Sequence, residues 1–123
     1  RGRDRLITAS FATYLWNHGG SWFKKDSQGN KVSNINSRES INAFMYYVNL
    51  LRKYSPQAAL NNRPPSNAAL FAAGKTAMLS ELNFWMALSE DKRKSRVVGL
   101  TTTILVPRGP GGSHPNLPTT RCV

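Results

Sequence analysis

The sequence is most informative at residues 68–85, which read Ala-Ala-Leu-Phe-Ala-Ala-Gly-Lys-Thr-Ala-Met-Leu-Ser-Glu-Leu-Asn-Phe-Trp. The pattern predicts a short helix, a buried strand from Thr76 to Leu79 and the start of a second helix. Gly74 fits the position just after the first helix, because a residue without Cβ adopts left-handed backbone angles at little cost. Phe84 and Trp85 follow the strand. Since ligands of open α/β sheets bind at the carboxyl ends of strands, we expect these two flat rings to form a stacking surface that suits a sugar.

Helix and strand patterns precede this stretch. Apolar residues between Leu6 and Trp16 predict a first helix that ends at Gly19-Gly20. The turn-rich interval from Asp26 to Asn30 predicts a hairpin with short strands. Asn36 is the expected cap of a second helix that belongs to the core. Its apolar residues recur at helical spacing, at Ile41, Phe44, Met45, Val48 and Leu51.

The alternation continues toward the end of the chain. Asn67 is the expected cap of the short third helix. The β-branched residues between Val97 and Val106 predict a strand, which Pro107 closes. Interleaved helices and strands favour an α/β fold, with helices packed on a small mixed sheet of three or four short strands.

Length and composition favour one compact domain. The chain has 123 residues, of which 40% are hydrophobic and 10% aromatic, which is typical of a globular protein. It contains no uninterrupted apolar stretch of about 18 residues that could span a bilayer. The start, Arg1 to Arg5, has neither an initiator Met nor the apolar part of a signal peptide, so we expect an excerpt or a mature segment. Cys122 stands alone and therefore predicts neither an internal disulfide nor a metal site.

The charge supports an alternative function. A net charge of +11, from 17 basic and 6 acidic residues, would attract nucleic acid or an anionic membrane. The basic residues are nevertheless scattered over one terminus and two turns rather than aligned along a helix, which is typical of solvated loops and helix ends. A basic nucleic-acid-binding module therefore remains the alternative hypothesis.

Several ordered motifs resemble a known family. Tyr-Leu-Trp-Asn-His-Gly-Gly at residues 14–20, the turn at residues 26–30, Phe-Ala-Ala-Gly-Lys-Thr-Ala-Met at residues 71–78 and the Val-Pro-Arg-Gly-Pro-Gly-Gly ending at residues 106–112 follow in the family's order. Together they resemble family 1 of the extracellular solute-binding proteins, the carbohydrate receptors of bacterial ABC importers, to which maltose-binding protein belongs. The match covers roughly residues 10–117.

The resemblance implies a fold and a domain organisation. It implies a periplasmic-binding-protein type II fold, of which this chain would be an internal part of the second lobe. Residues 1–9 form an unassigned extension, residues 10–107 the partial α/β lobe, and residues 108–123 a Gly/Pro-rich tail that we expect to be loop or poorly ordered. The full-length protein would be periplasmic or extracellular and membrane-associated.

The resemblance also implies a function. The chain would bind a mono- or oligosaccharide noncovalently and hand it to the membrane permease subunits of the importer. It would act as a monomer without cofactor, metal or catalytic residues, and would not be an enzyme. No nucleic-acid partner is expected on this reading.

Four residues are the predicted ligand contacts. Sugar recognition needs an apolar ring face and planar polar groups that grip hydroxyls. Trp85 or Phe84 would supply the face, and Glu81 and Asn83 the grip. Packing roles remain open for Trp85 and Phe84, and Glu81 could instead complement a helix dipole.

Aromatic and imidazole side chains elsewhere are assigned other roles. Trp16 and Trp22 are expected to be packing residues. His18 and His114 lack a nearby carboxylate or cysteine in a triad-like order, so we expect surface or helix-end roles for them.

Overall fold

The computed structural model describes residues 3–57, 64–81 and 85–111. These residues divide into two compact units. The first unit contains residues 3–54 together with 106–111, and the second contains the described residues between 55 and 105. Phe84, Asn83 and His114, three of the residues discussed above, lie outside the described ranges.

The first unit begins with helix α1, Arg3–Asn17. It ends as the sequence predicts, because Gly19 has a φ of +78° and reverses the chain. The amide of Gly19 donates to the carbonyl oxygen of Trp16 at 3.0 Å, and the amide of Gly20 donates to that of Leu15 at 2.9 Å. This pair of bonds is a Schellman motif, which satisfies two of the last carbonyl groups of the helix.

The predicted hairpin follows α1. Strands β1, Phe23–Lys25, and β2, Lys31–Ser33, pair antiparallel and form a two-stranded sheet. The connecting turn is organised by Asp26, whose Oδ1 accepts hydrogen bonds from the backbone amides of Gln28 at 2.9 Å and Asn30 at 2.8 Å. The hairpin is therefore specified locally, by one short acidic side chain.

Helix α2, Arg38–Tyr54, starts one residue later than a cap at Asn36 requires. That prediction is wrong. The cap is Ser37, whose Oγ accepts a hydrogen bond of 3.2 Å from the backbone amide of Ser40. The Oγ of Ser37 also donates to the Oγ of Ser40, which in turn donates to the carbonyl oxygen of Asn34. This serine network favours Ser37 over its neighbour, because it ties the helix start to the end of the hairpin.

The apolar stripe of α2 is less buried than predicted. Ile41, Phe44 and Met45 are 47%, 54% and 54% exposed, while Val48 and Leu51 are half-buried. The helix instead buries two small residues, Ser40 and Ala43. Because these small residues face the interior of the unit, the larger side chains beside them lie at its periphery. The core of the unit consists of Phe11, Leu15 and Ala43, surrounded by the half-buried rings of Tyr14, Trp16, Trp22 and Tyr47. Trp16 and Trp22 are thus packing residues, as expected.

Residues 106–111 complete the first unit. The side-chain amide of Asn17 donates to the carbonyl oxygen of Pro107 at 2.9 Å, and the amide of Gly111 donates to the carbonyl oxygen of Asn17 at 2.9 Å. The beginning of the expected tail is therefore a loop held by hydrogen bonds against the end of α1.

The second unit begins with helix α3, Pro64–Ala72. The prediction that Asn67 caps this helix is wrong, because Asn67 lies within it. Proline is well suited to the first turn, because the amide it lacks would have no helical partner there. The end of α3 is as predicted. Gly74 has a φ of +71°, and the amides of Gly74 and Lys75 donate to the carbonyl oxygens of Phe71 and Leu70 in a second Schellman motif.

Two predicted strands are not formed. Neither Thr76 to Leu79 nor Val97 to Val106 belongs to a sheet within the described residues. Met78, Leu100, Ile104 and Leu105 are between 64% and 85% exposed. A strand exists only with a hydrogen-bonded neighbour, and no such neighbour lies beside these segments in the described ranges. Helices combined with a small sheet agree with the predicted α/β class, although this sheet has two antiparallel strands.

Candidate functional site

The predicted ligand contacts begin with Glu81, in the second unit. The Schellman motif at Gly74 ends α3 and releases the chain into an irregular segment that reaches Glu81. Glu81 is half-buried and lies at a bend. Its two predicted roles, contact to a ligand and complement to a helix dipole, both stay predictions.

Trp85 lies immediately before helix α4, Met86–Ser89. Its backbone is already helical, with φ −68° and ψ −14°. The side chain is half-buried, and the indole Nε1 is shielded from solvent. Trp85 as a whole residue is thus neither fully buried nor fully solvated.

Helix α4 is anchored by Glu90, the residue that follows it. The carboxylate of Glu90 accepts hydrogen bonds of 3.1 Å from the amide of Gly99 and from the Oγ1 of Thr101. One turn earlier, the Oγ1 of Thr103 donates to the sulfur of Met86. These contacts fasten the extended segment after residue 97 alongside α4 and hold the helix that begins at Trp85.

A second set of contacts connects this region to α3. The carbonyl oxygen of Ala72, in the last turn of α3, accepts hydrogen bonds from the amide of Arg96 at 2.8 Å and the Oγ of Ser95 at 3.3 Å. Asp91 forms the turn that leads to Ser95. Its Oδ1 accepts a hydrogen bond from the backbone amide of Arg93, and its carbonyl oxygen accepts one from the backbone amide of Ser95. Glu81 and Trp85 belong to the same compact unit, in which these bonds connect the end of α3 to the segment after α4.

An apolar groove in the first unit was not identified from the sequence. It encloses about 390 Å³ and is lined mainly by Phe11, Trp22, Ile35, Ile41, Phe44 and Tyr47. Phe11 forms its floor, with edge contacts to Trp22 and Phe44 at ring-centroid distances of 5.7 and 5.9 Å. The buried hydroxyl at its edge, Ser40, already donates to Asn34. Because a sugar needs several polar partners as well as ring faces, this groove is a poorer carbohydrate site than the region around Trp85.

His18 has the helix-end role that its sequence context predicts. Its Nδ1 donates to the carbonyl oxygen of Tyr14 at 2.9 Å, and its ring lies 5.1 Å from that of Tyr46. Among the described residues, no group of three or more His, Cys, Asp or Glu side chains could hold a metal ion.

The described ranges also contain no helix that is both long and apolar enough to cross a bilayer.

Comparisons with known proteins place this geometry in context. The family model described as bacterial extracellular solute-binding protein matches residues 6–120. The structure is similar to that of maltose-bound MalE3 from T. maritima, with a TM-score of 0.74 and 24% sequence identity. The similarity covers 88% of this chain and 27% of MalE3, so the chain spans about a quarter of the length of that protein. No curated protein matches the chain.

Proposed function

Since the chain belongs to the bacterial extracellular solute-binding proteins, we propose that it is a carbohydrate-binding segment of the receptor of a bacterial ABC sugar importer. The family assignment and the type II fold agree with the resemblance seen in the sequence. The segment takes part in noncovalent capture of a mono- or oligosaccharide outside the cytoplasm and in its handover to membrane permease subunits. It carries out no chemical conversion of the sugar.

The observation that carries this proposal is the half-buried position of Trp85 at the start of α4. A fully buried ring would be a packing residue, and a fully exposed ring would lack walls to orient a ligand. The apolar C–H face of a pyranose fits against a partly exposed indole. Glu81, half-buried on the preceding segment, supplies carboxylate oxygens that can accept hydrogen bonds from two sugar hydroxyls. Phe84 and Asn83 stay in the proposed site on the sequence argument alone.

Similarity to a maltose-bound protein supports the proposed ligand class. That protein is similar to this chain in fold, and its bound ligand is a sugar. At 24% identity the likeness does not specify a ligand for this chain. The proposal therefore extends to carbohydrates as a class, with the hydroxyl pattern of the preferred sugar left to experiment.

Tryptophan fluorescence tests the proposal directly. The chain has three tryptophans, so the double variant Trp16→Phe/Trp22→Phe leaves Trp85 as the reporter. We expect its emission to shift or be quenched during titration with at least one member of a panel of mono- and oligosaccharides. Glu81→Gln should weaken that response, and Glu39→Gln, an exposed carboxylate on α2, should leave it unchanged.

The alternative, a nucleic-acid-binding module, predicts a different response to salt. Binding that depends on phosphate contacts weakens steeply as the salt concentration rises, whereas stacking and hydroxyl hydrogen bonds respond little. No emission change with any sugar would overturn the proposed function, and salt-sensitive binding of an oligonucleotide would then favour the alternative.

A further inference from the structure

The hairpin of the first unit has one inward and one outward face. In its register Phe23 pairs with Ser33, Lys24 with Val32, and Lys25 with Lys31. Directly paired residues lie on the same side of a sheet, and alternate residues along a strand share that side. Phe23, Ser33, Lys25 and Lys31 therefore form one surface, which we name the outward hairpin face.

The hairpin is fixed to the core through its other side. Trp22, which precedes β1, packs edge-on against Phe11 at a centroid distance of 5.7 Å. The amide of Asn34 donates to the carbonyl oxygen of Trp22 at 3.0 Å, and its side chain donates to the Oγ of Ser21 at 2.9 Å. These contacts extend the pairing beyond the two strands, so the outward hairpin face is held away from the core.

The outward hairpin face combines an exposed aromatic ring with two cations. Phe23 is 55% exposed, and Lys25, Lys31 and Ser33 are exposed as well. Lys25 and Lys31 are directly opposite each other, an arrangement of like charges that destabilises a sheet. The Nζ of Lys31 lies 4.3 Å from the centre of the Phe23 ring, which compensates one of the two charges through a cation–π contact.

Among the described residues, Lys25 forms neither an ion pair nor a cation–π contact. Its neighbour Asp26 carries a negative charge, but the Asp26 carboxylate is directed toward the turn, where it accepts hydrogen bonds. The hairpin thus keeps a repulsive lysine pair that a negatively charged partner would neutralise.

We propose that the outward hairpin face binds the anionic headgroup surface of a phospholipid bilayer. Lysines near such a surface attract its phosphates, and a neighbouring aromatic ring can enter the boundary between headgroups and acyl chains. The cations of the face are flexible lysines rather than arginines, and lysine acts as a mobile point charge without the rigid two-pronged geometry that favours a fixed carboxylate. A fluid layer of phosphates suits this chemistry better than a folded acidic protein.

Vesicle co-sedimentation tests the proposal with the 123-residue chain. The chain should sediment with vesicles that contain about one-third phosphatidylglycerol in phosphatidylcholine, and not with pure phosphatidylcholine, and high salt should release it. The double variant Lys25→Gln/Lys31→Gln should reduce partitioning roughly 25-fold, at about fivefold for each lysine. Phe23→Ser should reduce it several-fold with the charge intact.

A matched control separates this face from the overall positive charge. Lys75→Gln/Lys92→Gln removes two lysine charges from exposed positions of the second unit. The proposal requires this control to retain most of the vesicle binding. Equal losses in the two double variants, or no sedimentation of the unaltered chain, would overturn it. The proposal would also be overturned if the chain bound a short DNA duplex more tightly than the vesicles and the hairpin substitutions abolished that binding. Circular dichroism verifies that each variant is folded. The single variant Lys25→Gln should also weaken vesicle binding, by about fivefold.

Discussion

The backbone amide of Gly111 donates a hydrogen bond of 2.9 Å to the carbonyl oxygen of Asn17, the last residue of α1. The last carbonyl groups of a helix have no helical partner and must find one elsewhere. Here the partner is a residue distant in sequence. In addition, the side-chain amide of Asn17 donates to the carbonyl oxygen of Pro107, 90 residues away in sequence. The end of α1 is therefore completed by a distant loop.

Gly111→Ala should disrupt this contact. A Cβ at position 111 would overlap the backbone of His18 and Gly19, which cannot move aside as a flexible side chain could. We expect a loss of about 1–3 kcal/mol in the free energy of unfolding, as for overpacking elsewhere. Urea denaturation measures the loss. Gly29→Ala provides a control in open space, where the cost arises from its φ of +85° alone. Unchanged amide chemical shifts of His18, Gly19 and Gly109 in Gly111→Ala would contradict the packing argument.

Ser37→Ala should destabilise α2, and Asn36→Ala should not. The Oγ of Ser37 accepts from the amide of Ser40, and loss of such a cap costs about 0.5–2 kcal/mol. Asn36 is the residue that sequence reasoning selects, and it makes a matched neighbouring control. Thermal denaturation followed by circular dichroism compares the two variants. A larger effect at Asn36 would restore the original assignment.

The stability of the hairpin should decrease in acid. Hydrogen bonds hold the pKa of Asp26 below its ordinary value of 3.8. The largest contribution comes from the backbone amide of Asn30, and smaller ones come from the Asn30 side chain and the amides of Gln28 and Gly29. Because the folded pKa is the lower one, the stabilisation is present above pH 3.8 and is lost as the pH falls through the folded pKa. Amide exchange or NMR shifts of residues 23–33 between pH 6 and pH 2, about the range in which carboxylates titrate, measure it.

Asp26→Asn is the variant that isolates this effect. An amide oxygen still accepts hydrogen bonds, but it does not titrate, so the hairpin of the variant should respond less to acid than that of the unaltered chain. An identical acid response in both proteins would assign the pH dependence to another group.

Glu90→Ala should release the segment that lies along α4. The carboxylate accepts bonds from Gly99 and Thr101, so its removal leaves both donors to solvent. We expect faster hydrogen exchange at the amide of Gly99 and a loss of about 0.5–1.5 kcal/mol, because water can replace the carboxylate at these exposed donors. Lys92→Ala, at an exposed position two residues later, should leave that amide unaffected. Equal exchange rates at Gly99 in the two variants would show that Glu90 does not anchor the segment.

Elements that depend on local chemistry were predictable. The ends of α1 and α3 follow from Gly19 and Gly74, because only a residue without Cβ takes up positive φ cheaply. The hairpin follows from Asp26, whose side chain bonds amides two and four residues ahead. The family was recognisable for a related reason, since such turn residues recur in a fixed order along the chain and survive as motifs.

Features that need a distant partner were decided by the tertiary structure. The segments at residues 76–79 and 97–106 have strand-like composition but no neighbouring strand in the described ranges, and composition cannot supply the missing hydrogen bonds. Ser37 rather than Asn36 caps α2, because Ser40 connects that serine to the carbonyl group of Asn34. The half-burial of Trp85 also depends on packing within its unit. Local rules determine where the chain turns, whereas contacts between residues far apart in sequence determine which side chains remain accessible to a ligand.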